Sequence, residues 1–337
     1  MCARVNAGRG IMKVSYSEVS ALGGDRPERH LAIMRIMTSV LFPVVRFRGL
    51  DFLARNVARL VAAEDVFTRV RLTADTWFTY PTYDSYWGAH VLRGIPYEPA
   101  LSIFISRVAA NDFAFIDCGA NFGYWSALLS GRDLGSHQCI AVEGSPQTFS
   151  GLRRTAGLNG DRFHCLNRVV WSQSGEPVRF MEGGRHAGRH VSESGIDAHP
   201  ANLRGLLTPA EHPVRVATIS LEDAARRIAH HSFLVKIDVE GSEIQAFAGA
   251  GAIADRDTVF VYEDHGADVS HRVTRKLIEC GYRVGYPNVD GTVQAIAELE
   301  HLDRIKKNRR HGYDFIASRG SGPLTDAAWA AAHCPAR

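Results

Sequence analysis

Residues 113–124, Phe-Ala-Phe-Ile-Asp-Cys-Gly-Ala-Asn-Phe-Gly-Tyr, combine an apolar run, a loop with two glycines and the start of a helix. A short continuous apolar run is typical of a strand that is buried on both faces of a sheet. Glycine adopts backbone conformations that other residues avoid, so Gly119 and Gly123 favour a tight turn after this strand. The segment therefore predicts the first strand–loop–helix unit of a parallel sheet.

The same alternation of strand and helix patterns continues towards the C-terminus. Ser145 and Pro146 supply an N-cap and a first-turn proline for the helix after the second strand. Asp268 or Ser270 can cap a later helix. We therefore predict an α/β fold with a doubly wound, mostly parallel sheet. The predicted strands are Phe113–Cys118, Gln138–Glu143, Phe163–Val170, Phe233–Val239, Thr258–Glu263, Tyr282–Tyr286 and Tyr313–Ser318.

Regions that lack this alternation set the predicted domain organisation. Residues 1–99 are expected to form an N-terminal extension with helices, a strand-like stretch from Thr68 to Tyr80 and an aromatic loop. Residues 100–320 are the predicted α/β domain, and 321–337 a tail. The stretch 181–213, rich in Gly, His and Arg, interrupts the domain as a long loop. We favour a lid on the substrate side for it, with a plain disordered insertion as the alternative.

Composition limits the class of protein. The chain has 337 residues, 45% of them hydrophobic, and a net charge of +3. The apolar fraction suffices for a core, and so mild a charge does not indicate a nucleic-acid partner. Leu31–Val45 is interrupted by Arg35 and falls short of a membrane span, although contact with a membrane surface stays open. Without a CxxC pair or a secretory signal, we expect buried thiols and a cytoplasmic protein.

The glycine loop and the strand after it indicate a nucleoside site. Gly119 and Gly123 do not match the dinucleotide fingerprint, which has glycines at the first, third and sixth positions. Glu143 ends the second strand 24 residues after Gly119, where an acid can accept the hydroxyls of a ribose. Asp117, at the end of the first strand, can bind an amino group. Taken singly, these features also fit a glycine turn and a solvent-facing glutamate.

A second charged cluster follows in Phe233-Leu-Val-Lys-Ile-Asp-Val-Glu-Gly-Ser-Glu243. Because side chains alternate along a strand, we expect Lys236, Asp238 and Glu240 on one side. Buried charges are costly unless they are paired or bind a ligand, and open α/β sheets bind ligands at the carboxyl ends of their strands. The cluster therefore predicts a reaction site. The alternative is an internal Lys236–Asp238 ion pair, with Glu243 at a helix N-terminus.

These motifs resemble the FkbM-type methyltransferase family over roughly Tyr97 to Ser318. Two departures from the family pattern are the Gly144-Ser145 pair, which separates Glu143 from Pro146, and Glu222 in place of an aspartate after Leu221. The matching segments are the Tyr97-Glu98 pair, Asp117–Gly123, the Glu143 strand, Thr218–Asp223 and Lys236–Glu243.

The resemblance implies a class I Rossmann-like sheet with an antiparallel last strand, and S-adenosyl-L-methionine as methyl donor. It also implies O-methylation of a small-molecule or glycan acceptor, namely a saccharide, a glycolipid or a polyketide-like product. Asp238 and Glu240 would lie at the reaction end, with Glu243 behind them. The residues expected to line the cofactor are Glu98, Asp117, Gly119, Asn121, Gly123 and Glu143.

Several points of the chemistry stay open. The candidate bases for a hydroxyl acceptor are Asp238, Glu240 and His265, since imidazole ordinarily titrates near neutral pH. The carboxylates could instead hold a divalent cation, but we assign no metal ligands. Alternative functions are a nicotinamide-dependent oxidoreductase, which the missing third glycine disfavours, and a non-catalytic protein with a vestigial nucleoside pocket. The aromatic candidates for stacking on a sugar are Trp77, Phe78, Tyr80, Tyr83, Tyr86 and Trp87.

Overall fold

The computed structural model describes residues 14–61, 65–182, 212–264, 268–288, 290–296, 298–307 and 313–330. The strands in these residues are β1 (Ser17–Leu22), β2 (Phe67–Thr73), β3 (Thr76–Pro81), β4 (Ala114–Cys118), β5 (Cys139–Glu143), β6 (Phe163–Asn167), β7 (Val169–Val170), β8 (Pro177–Glu182), β9 (His212–Ile219), β10 (Ser232–Ile237), β11 (Asp257–Glu263), β12 (Arg283–Pro287), β13 (Val293–Ala295) and β14 (Asp314–Ser318). The helices are α1 (Pro27–Val40), α2 (Phe42–Leu60), α3 (Ser85–Arg93), α4 (Pro99–Val108), α5 (Tyr124–Leu129), α6 (Pro146–Leu158), α7 (Leu221–Ala225), α8 (Glu243–Ala248), α9 (Arg272–Glu279), α10 (Glu300–Lys307) and α11 (Pro323–Ala330), with short 3-10 helices at Arg132–Leu134 and Gly251–Asp255.

An eight-stranded sheet forms the centre of the molecule, in the order β13-β12-β14-β11-β10-β4-β5-β6. The five neighbouring strands from β11 to β6 are parallel to one another. The last long strand, β14, is inserted between β11 and β12 and is antiparallel to both. The predicted doubly wound, mostly parallel sheet with an antiparallel last strand is therefore confirmed.

Helices cover both faces of this sheet, which explains why its strands are apolar throughout. Phe115 and Leu234 point to a core that also contains residues of α4, α5, α6 and α11. Ile116 and Val235, the next residues along the same strands, point to the opposite core with residues of α7, α8, α9 and α10. Burial on both faces removes the polar alternation that a one-sided sheet would have.

The chain order creates a crevice at the carboxyl ends of β4 and β10. From β4 the sheet extends outward through β5 and β6, and β10 then pairs with the other edge of β4. Such a reversal of strand order is where open α/β sheets bind ligands. Lys236 on β10 lies beside Asp117 on β4 in the register of this ladder. The two charged clusters of the sequence therefore meet at one edge.

Local differences from the predicted elements have local causes. The stretch Thr68–Tyr80 is a hairpin, β2 and β3, because the chain turns at Ala74-Asp75. The predicted strand Phe163–Val170 is broken at Arg168, and β7 joins β8 and β9 in a separate three-stranded sheet. This break turns the chain away from the edge strand β6.

Two helix starts were predicted from capping residues. Ser145 caps α6 as expected, since its hydroxyl oxygen accepts a hydrogen bond of 3.0 Å from the Thr148 N–H. The N-cap of α9 is His271, so the prediction of Asp268 or Ser270 at that position was wrong. Asp268 nevertheless accepts a 3.1 Å hydrogen bond from the Arg272 N–H in the first turn. The Asp268 carboxylate therefore satisfies an amide of the first helical turn although Asp268 is not the N-cap residue.

The N-terminal elements pack beside the main sheet. Helices α1 and α2 pack together around Leu31, Met34 and Leu50, and α1 also contacts α3. Within the described ranges, no helix is both long and apolar enough to cross a bilayer. The predicted insertion falls mostly on residues 183–211, which lie outside the described residues and separate β8 from β9.

Candidate active site

A cavity of about 400 Å³ opens at the carboxyl ends of β4, β5, β10 and β11. This size suits a small organic ligand, for which pockets of roughly 300–1,000 Å³ are usual. Its wall is rich in acids, with seven carboxyl groups against two basic side chains, Lys236 and Arg168. The seven acids are Glu98, Asp117, Glu143, Asp238, Glu240, Glu263 and Asp314.

The two glycines of the predicted loop have different roles. Gly119 has φ +76° and lines the cavity, and a Cβ built there would lie 1.8 Å from the Asp238 carbonyl oxygen. Gly119 therefore lets the β4 loop cross directly over the end of β10. A Cβ on Gly123 would instead meet Leu152 of α6 at 2.6 Å, and Gly123 is not among the residues that line the cavity. Its absent side chain gives space to helix packing rather than to a ligand.

Glu143 is held by two backbone amides at the end of β5. Its Oε2 accepts a 2.9 Å hydrogen bond from the Asn121 N–H, and its Oε1 accepts one of 2.8 Å from the Ser145 N–H. Asn121 has φ +52°, and this left-handed turn points its N–H towards Glu143. A carboxylate has about four acceptor positions, so it can accept hydrogen bonds from several donors at once. The glycine loop and the acid therefore form one rigid unit.

Two further acids border the first strand. Asp117 is buried and accepts a 2.6 Å hydrogen bond from the Ser126 hydroxyl, and burial raises its pKa to about 6 despite the opposing effect of Lys236. Glu98 precedes α4 and accepts a 2.7 Å hydrogen bond from Trp125 Nε1. Burial raises the pKa of Glu98 as well, while the Lys236 ammonium acts in the opposite direction.

Lys236 is the central cation of the cavity. It is 3% exposed, and its Nζ donates a 2.8 Å hydrogen bond to Asp238 Oδ2. Burial lowers the pKa of Lys236, but the surrounding carboxylates, Asp238 and Glu98 foremost, outweigh burial and hold the pKa well above its usual range. The ion pair that the sequence left as an alternative is therefore present, and it lies inside the cavity.

Glu240 occupies the turn after β10. It has φ +50°, a left-handed conformation that is costly for a residue with a side chain and recurs at functional sites. Burial raises its pKa to about 8, with further contributions from Asp238 and Glu243. Glu243 lies behind it at the start of α8 and accepts a 3.0 Å hydrogen bond from the Gly241 N–H. Glu240 thus lines the cavity, and its carboxyl group titrates close to neutral pH.

The far side of the cavity carries a pair of acids across the antiparallel ladder. Glu263 at the end of β11 is paired in register with Asp314 at the start of β14. Burial, together with the nearby Asp238 and Asp314, raises the pKa of Glu263 to about 10. Burial also raises the pKa of Asp314 well above its usual range, with Glu98 adding to the shift. Glu263 therefore carries a proton at neutral pH.

Aromatic rings form the part of the cavity wall that borders Glu98. Trp87 contacts Tyr97 at a centroid distance of 4.6 Å and stacks on Tyr124 at 5.4 Å. Tyr86 also lines the cavity and is 36% exposed. Of the six rings that were candidates for stacking on a sugar, Tyr86 and Trp87 line the cavity. The others have structural positions: Phe78 and Tyr80 are fully buried, Tyr83 is bonded to His30, and Trp77 lies under Arg69 and Arg71.

The cavity brings together most of the residues that the sequence singled out. Five predicted cofactor residues line it, together with Asp238 and Glu240, whereas Gly123 does not. His265 lies outside the described residues, so its candidacy as a base stays a prediction. Among the side chains that the structure describes, no three His, Cys, Asp or Glu are placed to hold a metal ion. The five cofactor residues are Glu98, Asp117, Gly119, Asn121 and Glu143.

Sequence reasoning missed Asp314 as a site residue. The strand Tyr313–Ser318 was expected to be antiparallel only through family resemblance. An antiparallel strand begins where its parallel neighbours end, so its first residues lie at the ligand edge. Asp314 also follows the basic segment 304–310, where the sequence gives no acidic pattern to attract notice.

Comparison with known families gives a match to the methyltransferase FkbM domain over residues 117–284. The search of curated proteins found no match to this chain. The match begins at Asp117, at the end of β4, and includes Glu143, Asp238 and Glu240. It ends within β12, before Asp314 is reached.

Three solved structures are similar in fold to this chain. The methyltransferase FkbM of Methylobacillus flagellatus KT is 15% identical with a TM-score of 0.38, over 69% of this chain and 60% of that one. The O-methyltransferase of Bacillus cereus, in complex with SAH, is 11% identical with a TM-score of 0.33, over 88% and 100%. The precorrin-6y C5,15-methyltransferase of Geobacter metallireducens GS-15 is 11% identical with a TM-score of 0.34, over 65% and 87%. This chain thus spans three fifths of the length of the Methylobacillus protein.

Proposed function

The chain carries a methyltransferase FkbM domain over residues 117–284, and from this premise we propose that it methylates a hydroxyl group with S-adenosyl-L-methionine as donor. The proposed acceptor is a saccharide, a glycolipid or a polyketide-like natural product. The observation that carries the proposal is the single acid-lined cavity in which Asp117, Glu143 and Asp238 meet. A nucleoside, an amino-acid tail and a cationic centre would each find a matching group there.

The residues present fit this cofactor in charge and in hydrogen bonding. S-adenosyl-L-methionine has a cationic sulfur, and a wall with seven acids and two basic groups favours a bound cation. Glu143 is fixed by two backbone amides and lines the cavity, where its carboxylate would accept the ribose hydroxyls. Asp117 and Glu98 are buried acids that would pair with the ammonium of the methionine tail. When bound, the cofactor supplies the electrophilic methyl group.

The residues after β10 would bind the acceptor hydroxyl and remove its proton. A hydroxyl oxygen that gains a methyl group must lose its proton, and a carboxylate near it takes that proton. Glu240 suits this role, because its pKa of about 8 places it close to working pH. Asp238 is anchored by Lys236 and would accept a hydrogen bond from the acceptor, which orients the oxygen. We therefore propose Glu240 as the proton acceptor and Asp238 as the group that holds the hydroxyl.

The proposed acceptor class follows from the acidic and the aromatic parts of the cavity wall. Carboxylates and protonated acids bind hydroxyl groups, and aromatic rings such as Tyr86 and Trp87 stack on the apolar face of a sugar or polyketide ring. An anionic acceptor would be repelled by the surplus of acids. A neutral, hydroxylated ring is the acceptor that both parts accommodate.

The test is methyl transfer with labelled S-adenosyl-L-methionine and a panel of neutral hydroxylated glycans and natural products. We expect label in an acid-stable ether, and loss of turnover in Asp238→Asn with cofactor affinity within about threefold of the wild type. Asp303→Asn is the matched control, since Asp303 is a surface aspartate that bonds His271 outside the cavity. Full activity of Asp238→Asn would contradict the assigned role, and label on nitrogen or carbon would contradict O-methylation.

A further inference from the structure

Helices α1 and α2 expose a row of apolar side chains on the surface of the N-terminal extension. Ile36 is 64% exposed, Val40 62% and Val44 82%. Ile36 and Val40 are four residues apart and lie on one side of α1, and Val44 follows in the first turn of α2. We call these three exposed side chains the apolar stripe. Burial of such side chains is favourable, so an exposed row of them marks a contact surface.

The stripe is not an unfinished part of the core. The opposite side of α1 is already packed, with Leu31 and Met34 at 1% and 0% exposure. Arg93 of α3 also donates a 3.1 Å hydrogen bond to the Thr38 carbonyl, and the His30 ring bonds the Tyr83 hydroxyl at 3.0 Å. The hairpin is therefore seated on α3, and the stripe faces away from that contact.

Positive charge is concentrated in the same hairpin. Residues 27–60 contain six arginines against two acids, Glu28 and Asp51, a net charge of +4. The whole chain has a net charge of +3, so the remaining residues sum to −1. Arg29 and Arg35 are exposed on α1, the helix that carries Ile36 and Val40, and Arg35 donates a 3.2 Å hydrogen bond to the Val19 carbonyl. Apolar side chains flanked by arginine are the combination that binds helices to an anionic lipid surface.

We propose that the α1–α2 hairpin docks on an anionic phospholipid surface, with the apolar stripe inserted among the headgroups. The helices would lie in the plane of the membrane, since neither is apolar enough to cross it. The charge surplus of the hairpin argues for lipid over a second copy of the chain, because two hairpins of charge +4 would repel each other. Docking also places α3, which bears Tyr86 and Trp87 of the cavity wall, directly behind the membrane contact.

The experiment is co-sedimentation of the full chain with vesicles of phosphatidylcholine alone and of phosphatidylcholine with phosphatidylglycerol. We expect binding to the anionic vesicles only, and weaker binding as salt is raised, since counterions screen the arginines. The triple variant Ile36→Glu, Val40→Glu and Val44→Glu should bind about tenfold or more weakly. Val269→Glu is the matched control, because Val269 is 83% exposed but lies in the loop before α9.

Several results would overturn the proposal. These are no sedimentation, equal binding to both kinds of vesicle, or equal loss in the control and the triple variant. A dimer in light scattering that the triple variant dissociates would assign the stripe to self-association instead. Thermal melts followed by circular dichroism show for each variant whether lost binding is due to lost folding. The salt dependence of wild-type binding tests the contribution of the arginines to docking without any substitution.

Discussion

Lys236 Nζ lies 2.8 Å from Asp238 Oδ2, and the cavity that holds this ion pair is also lined by carboxyl groups from β4, β5, β11, β14, the loop before α4 and the turn after β10. A lysine with 3% exposure would ordinarily lose its proton, but here the acids retain it. The ammonium therefore holds the Asp238 side chain in place in the cavity. Glu240 and Glu263, whose pKa values are raised to about 8 and about 10, hold protons at neutral pH, because neighbouring carboxylates cannot all ionise in so small a volume.

Removal of the lysine charge tests this arrangement. Lys236→Met leaves the buried acids without their cation, and we expect a loss of about 3–5 kcal/mol in unfolding free energy. Lys276→Met is the matched control, since Lys276 is a half-exposed lysine in a weak 3.9 Å ion pair. Urea denaturation measures both variants. Equal losses of unfolding free energy in the two variants would show that the buried ion pair stabilises the fold no more than an exposed one.

The protonated acids predict how stability depends on pH. The pKa values of Glu240 and Glu263 are raised to about 8 and about 10 in the folded protein, above their value in the unfolded chain. The stability that they contribute is therefore complete at low pH and is lost as pH rises through these values. We expect the Tm of the ligand-free protein to fall from about pH 6 to pH 10, and to fall less in Glu263→Gln. A Tm that rises over this range would refute the protonation of these acids.

The same acids predict a charge-dependent preference between two ligands. S-adenosyl-L-methionine has a sulfonium, whereas S-adenosyl-L-homocysteine has a neutral thioether. As Asp117 and Glu240 lose their protons, with pKa values of about 6 and about 8, the cavity becomes more negative. The affinity ratio of the two ligands should therefore grow by about tenfold between pH 6 and pH 9. Isothermal titration calorimetry measures this affinity ratio at each pH. A ratio that does not change with pH would show that these acids do not interact with the charge on the sulfur atom.

Glu240 as proton acceptor predicts a pH–rate profile. A base acts only when deprotonated, so turnover should rise with pH and level off above about 8. Glu240→Gln should lose about 100-fold or more in kcat and also lose this rising limb. Glu279→Gln, on the exposed face of α9, is the control. A rising limb that persists in Glu240→Gln would transfer the role to Asp238 or to another group.

The close crossing at Gly119 gives a stability prediction with an internal standard. Gly119 and Gly160 have similar φ values, +76° and +67°, but a Cβ at Gly160 meets no atom within 4 Å. Gly160→Ala should cost about 1 kcal/mol from the backbone alone. Gly119→Ala should cost about 3 kcal/mol or more, because the Asp238 carbonyl must also move. Similar losses of stability in the two variants, measured by thermal unfolding, would mean that the loop at Gly119 can move to accommodate a Cβ.

The sequence predicted the sheet well because its signals are local. Each apolar run of the central strands is short, continuous and followed by a turn or a cap such as Ser145, and these features depend on neighbours in the chain. The hairpin at Thr68–Tyr80 was taken for one strand, since the Ala74-Asp75 turn lacks the glycine or asparagine that marks most tight hairpins. Local patterns therefore placed the elements but not every turn.

The site was predicted only as far as the motifs reach. Asp117, Glu143 and Asp238 end strands, and parallel strands place such ends at one edge. The pairing of Glu263 with Asp314 depends on the insertion of β14 between β11 and β12, a contact over many residues of chain. The packing of Gly123 has the same long-range origin, because its neighbour Leu152 belongs to the next helix. Long-range packing is what the sequence alone did not provide.

The most direct test of the whole account is a parallel isothermal titration of the chain with S-adenosyl-L-methionine and with NADH. We predict saturable binding of S-adenosyl-L-methionine, no binding of NADH, and a loss of about tenfold or more in Glu143→Ala, which removes the fixed ribose acceptor. Binding of NADH without S-adenosyl-L-methionine, or unchanged affinity in Glu143→Ala, would contradict the assignment of this cavity to the methyl donor.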